Sequence, residues 1–173
     1  MAILAITAPA FPPIYAIMGR MDHIMIRPGV WKRIFEEGRQ VVAYLAAYLI
    51  ALLAMAGLDY LWLTNTSASL YRHDLGALLA DDPKMGVAVI FYLVYAAGIV
   101  IFAVRPALAS SDWRMATLYG ALFGLFAYAT YDLTNFDTLK VWTLRVTMLD
   151  IGWGAVLTAL SASAGALAAL RLK

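Results

Sequence analysis

Four apolar runs constrain what this chain can become: residues 41–63, 86–104, 113–133 and 146–170. A helix rises about 1.5 Å per residue, so the first run covers about 34 Å, enough to cross the hydrocarbon core of a bilayer with some tilt. The composition agrees, with 64% hydrophobic and 14% charged residues, against roughly 45–50% and 25% in soluble domains. Both shifts point to lipid as the solvent. The expected fold class is all-α: an integral membrane four-helix bundle over residues 41–173. Residues 1–40 are expected as an N-terminal extension, partly disordered or lying on the membrane surface.

Local signals refine this outline. Pro9, Pro12 and Pro13 interrupt the apolar start, which makes it a poor spanning helix. Residues 27–40 mix Trp31, Ile34 and Phe35 with Lys32, Arg33 and Arg39, a pattern suited to a membrane surface. Between the first two spans, Thr66 or Ser67 is placed to cap a short amphipathic helix over residues 66–80, with Leu70, Leu75, Leu78 and Leu79 as its apolar face. Asp81, Asp82 and Pro83 end it. The second span is expected to stop at Arg105-Pro106, and Ser111 or Asp112 to cap the third. In the fourth, Asp150, Gly154, Thr158, Ser161 and Gly165 fall on one stripe, which marks a packing face rather than a lipid face.

Several chemistries are excluded or disfavoured by composition. Cysteine is absent, which removes disulfides, thiolate metal sites and cysteine nucleophiles. His23 and His73 lie outside the apolar runs, so no metal site and no cofactor is expected. No basic stripe supports nucleic-acid binding. Of the 13 Lys and Arg residues, nine fall on the side of the two termini. The positive-inside rule therefore places the N- and C-termini of a multi-pass inner-membrane protein in the cytoplasm.

The same topology brings the intramembrane acids to one end. Asp59 lies about 6 Å from the outer end of the first helix, and Asp150 is equally deep in the fourth. Asp132 ends the third. Ionisable groups inside a membrane are costly and usually functional. The expected site is an outer-leaflet pocket with Asp59, Asp132, Asp150 and Asn135 as its floor. Trp62, Tyr92, Tyr128, Tyr131 and Trp153 would form its walls. Three carboxylates so close require a proton, strong donors, a cation, or Arg72 or Arg145. Tyr and Trp near helix ends equally serve as interfacial anchors, and an Asp there equally snorkels to water. Asp59 and Asp150 both occur in Leu-Asp-x-x-Trp, as Leu58-Asp59…Trp62 and Leu149-Asp150…Trp153, a hint of pseudo-symmetry.

Longer motifs carry a resemblance. They are Leu58-Asp59-Tyr60-Leu61-Trp62, Leu70-Tyr71-Arg72, Phe91-Tyr92-Leu93-Val94-Tyr95-Ala96, residues 127–135 around Tyr131-Asp132-Leu133-Thr134-Asn135, and Asp150-Ile151-Gly152-Trp153-Gly154. From about residue 41 to 170 the chain resembles the bacterial membrane protein family known as domain of unknown function 2177. The resemblance implies a four-helix membrane protein without an assigned activity, and residues 1–40 fall outside it. From the residues themselves, the leading expectation is a binder of a lipid or other amphiphile, with membrane lipids as partners. Were it an enzyme, one protonated and one ionised acid would form an acid–base pair. The alternatives are an accessory subunit of a larger membrane complex, or a proton-coupled transporter acting through self-association as a dimer.

Overall fold

A computed structural model describes residues 28–173. The chain divides into two units, Met1–Gly38 and Arg39–Lys173. Of the first, the described part is helical, with Trp31, Ile34 and Phe35 exposed. The expectations for residues 1–27 lie outside the described residues. The second unit is helical as well, with no strand among its described residues.

Among the described residues, four long helices make up the fold. The first, α1, is Pro28–Thr66. It does not break at Thr66 as the sequence suggests. Thr64 Oγ1 donates to the Leu61 carbonyl at 3.0 Å, Asn65 Nδ2 to the same oxygen at 2.6 Å, and Thr66 Oγ1 to the Trp62 carbonyl at 2.7 Å. Thr66, a candidate cap for a new helix, therefore satisfies the old one instead. The chain winds on through a π-helical turn, Ser67–Arg72, and an α-turn, His73–Leu75. Leu70 and Leu75 of this extension are buried against Val146, while Leu78 and Leu79 stay exposed. Half of the anticipated apolar face is thus used, and no separate amphipathic helix forms.

The second helix, α2, is Met85–Ser110 and passes through Pro106. Proline lacks an N–H, and its ring crowds the carbonyl four residues back. Here a π-helical turn, Val100–Val104, precedes it. Widening the helix at that point moves the carbonyl away and lets the helix continue. It ends at Ser111, in the left-handed region with φ 53°. Asp112 then caps α3, Trp113–Thr138, by accepting from the Arg114 N–H at 3.0 Å. Thr143 caps α4, Leu144–Leu172, through the Val146 N–H at 3.2 Å.

By length and composition α1, α2 and α4 can cross a membrane. In hydrocarbon a helix is one of two structures that satisfy every backbone group internally. The third helix is as long but carries more polar groups. Its threonines blunt that cost by bonding back along the helix: Thr130 to Phe126, Thr134 to Thr130 and Thr138 to Thr134, at 2.6–2.7 Å.

Packing is inverted relative to a soluble protein. On α1 the buried side chains are Ala43, Ala47, Ala51 and Met55, while Leu45, Leu49 and Leu53 are exposed. Lipid tails are as apolar as leucine, so nothing drives large side chains inward. Close backbone approach between small residues holds such helices together. The tightest approach is α3 on α4. A Cβ at Gly120 would meet the Thr158 carbonyl oxygen at 2.8 Å, and one at Gly124 would collide with Gly154. The Asp150, Gly154, Thr158, Ser161 and Gly165 stripe of α4 is buried throughout, with Gly165 set against the Ala47 carbonyl of α1.

Candidate functional site

At one end of these helices, α1, α2 and α4 meet around two of the aspartates. Asp59 of α1 accepts hydrogen bonds from the Tyr92 hydroxyl of α2 and from Trp153 Nε1 of α4, the latter at 3.0 Å. Asp150 of α4 accepts from the Tyr71 hydroxyl, whose oxygen in turn accepts from Trp62 Nε1 at 2.9 Å. The Trp62 and Trp153 rings stack with centroids 4.5 Å apart and planes 8° from parallel. The two Leu-Asp-x-x-Trp copies therefore exchange partners. Each tryptophan serves the aspartate of the other copy, directly for Asp59 and through a phenol for Asp150.

These donors answer the question of charge compensation for two of the three acids. Neutral hydroxyl and indole groups satisfy them, and neither Arg72 nor Arg145 takes part. Arg145 faces Asp74 instead, at 3.8 Å, and Arg72 is exposed. Among the described residues, no group of three or more His, Cys, Asp or Glu is arranged to hold a metal ion.

Asp132 differs. It is fully buried, yet neither carboxylate oxygen has a hydrogen-bond partner. Two donors nearby in the chain are also buried and unpaired: Asn135 Nδ2, one turn on along α3, and Trp142 Nε1 in the connection to α4. Tyr128, one turn before Asp132 on α3, lies against Gly154, one turn after Asp150 on α4, and the stacked Trp153 and Trp62 link Asp59 to Asp150, so all three acids share one end of the helices. Buried polar groups are overwhelmingly paired, and each exception calls for an explanation such as a water, an ion or a ligand.

The remaining expected residues divide. Tyr128 lies half-buried with its ring over Gly154 and edge-on to Tyr95, whose hydroxyl meets Thr158 Oγ1 at 2.9 Å. Tyr131 projects outward, 61% exposed, with its edge against Trp142. Two participants are not evident from the sequence, Tyr71 and Trp142. Tyr71 is hidden by the expectation that α1 ends before it; its only signal is the Leu70-Tyr71-Arg72 motif. Trp142 stands alone in a polar connection.

Such an arrangement defines a class: a helical membrane protein with large side chains facing outward and an acid–aromatic node at one end. Residues 44–167 match the family described as "Predicted membrane protein (DUF2177)", and the chain belongs to it. No curated protein and no solved structure matches the chain.

Proposed function

We propose that the chain is a multi-pass inner-membrane protein whose acid–aromatic node binds the polar end of a lipid or other amphiphile. The observation that carries this reading is Asp132, a fully buried carboxylate without a partner, accompanied by the unpaired Asn135 and Trp142 donors. One acceptor group and two donors suit a ligand that both gives and takes hydrogen bonds, such as a hydroxyl- or amine-bearing headgroup. The surrounding Tyr and Trp rings suit the boundary between that headgroup and its chain. Asp59 and Asp150, already satisfied by Tyr92, Trp153 and Tyr71, would hold the helices that frame the ligand. The excess of Lys and Arg on the side of the termini supports a periplasmic position for the node.

The test is the mass of what co-purifies. The full chain, taken from membranes in mild detergent, is expected to carry a bound amphiphile in native mass spectra. Asp132→Asn is expected to lose it while keeping the helical circular-dichroism spectrum and a monodisperse elution. Loss of the folded protein in that variant would assign Asp132 to packing. Co-elution of wild type with a large membrane partner, without bound lipid, would instead make it an accessory subunit.

A further inference from the structure

At the end of the helices away from the node lies a second site of opposite character. A cleft of about 230 Å³ opens between the first part of α1, the last turn of α2 and the end of α4. Gln40, Ala43 and Tyr44 line it from α1, Arg105 and Leu108 from α2, and Lys173 closes it. Its lining includes two cationic side chains and no acidic one. Lys173 is held in place by donating from Nζ to the Leu108 carbonyl at 2.7 Å, which leaves its other N–H groups free. Arg105 is exposed and makes no ion pair among the described residues. The helix continues past Pro106, and so Leu108 lines the cleft beside Arg105.

We propose that this cleft binds the phosphate of an anionic phospholipid, with Arg105 and Lys173 as the charged contacts. The apolar walls, Ala43 and Leu108, are both buried in the helix packing, and they line the cleft beside the charges. A headgroup phosphate thus meets cations at the helix ends while its acyl chains run along the exposed leucines of α1. Basic pockets between helix ends are where anionic headgroups bind in membrane proteins. The site is independent of the acid node and holds whichever way the chain is inserted.

Native mass spectrometry of the full chain in neutral detergent, titrated with phosphatidylglycerol or phosphatidylcholine, tests this. Each cation near a lipid surface is worth about fivefold in affinity, so phosphatidylglycerol should bind about 25-fold more tightly. Arg105→Gln and Lys173→Gln should each lower that preference about fivefold, and Arg105→Lys should retain it. Lys173 is exposed and its substitution should not disturb folding, so its result stands even if Arg105→Gln fails to fold. Equal binding of the two lipids, or a preference indifferent to Lys173→Gln, would overturn the proposal. Displacement of phosphatidylglycerol by inorganic phosphate would also overturn it, revealing a site for a free anion.

Discussion

Gly124→Ala probes the crossing on which the geometry of α3 and α4 rests. A Cβ at that position would collide first with the Gly154 carbonyl oxygen, and would come within 2.5 Å of Thr158 Oγ1 and 2.7 Å of the Gly154 carbonyl carbon. Ordinary Cβ contacts begin at 3.4 Å. The helices would have to part by roughly 0.7 Å to clear the carbonyl carbon and by more to clear its oxygen, because backbone atoms cannot rotate aside. Overpacking costs about 1–3 kcal/mol, and an unyielding backbone places this case at the upper end. Alanine offsets about 1 kcal/mol of that through its better helix propensity. The net loss is therefore about 2 kcal/mol, roughly thirtyfold in the folding equilibrium. Gly152→Ala is the matched control, since a Cβ there meets nothing within 4 Å. It should be neutral or stabilising by up to about 1 kcal/mol. Unfolding by added SDS from mixed micelles, followed by tryptophan fluorescence, measures both. Equal stabilities for the two variants would refute the close crossing.

The node and the lipid-facing surface make further demands. Tyr92→Phe removes one donor from Asp59 and should destabilise the fold by about 1–3 kcal/mol in the same assay, because it strands a partly buried carboxylate oxygen. Tyr71→Phe strands both Asp150 and the Trp62 N–H, and should cost at least as much. The stacked tryptophans should couple by about 0.5–1.5 kcal/mol in a double-mutant cycle of Trp62→Leu and Trp153→Leu. The inverted packing predicts a contrast along α1: Leu53→Ala stays within about 0.5 kcal/mol of wild type, whereas Ala51→Leu costs about 1–3 kcal/mol. The reverse order would mean that the leucine face is the packed one.

Much of the fold is legible because the membrane simplifies its grammar. Apolar run length marks all four helices, and the spacing of Asp150, Gly154, Thr158, Ser161 and Gly165 marks the face that α4 buries. Asp112 is visible as a cap because it precedes an apolar run and stands two residues before the N–H it accepts. Stop signals are less informative. Thr66 and Pro106 read as helix ends, since in water a threonine cap and a proline usually are. Here Thr66 bonds backward and a π-turn accommodates Pro106, and both outcomes depend on packing that local sequence does not encode.

The continuation of α1 past residue 63 matters for the site. Ending α1 at residue 63 removes Tyr71 from the helix that carries Asp59 and Trp62, and so hides the bridge to Asp150. Helical phase does place Asp59 near Trp153, because both sit a short way from the same ends of antiparallel helices. Phase also puts Asp132 on the face of Gly124 and Tyr128, which packs on α4, whereas its neighbour Tyr131, expected in the site's wall, faces out. Adjacent residues on a helix point about 100° apart, and which of them turns inward is set by how α3 rotates onto α4. No sequence pattern distinguishes a partnered buried aspartate from an unpartnered one.

The most direct test of the account is an experimental density map of the full chain in a lipid nanodisc. Ordered density outside the protein is expected within about 3.2 Å of the Asp132 carboxylate and Asn135 Nδ2, continuing into an apolar tail. An Asp132 carboxylate bonded only to other protein groups, with nothing beside it, would contradict the proposed ligand site.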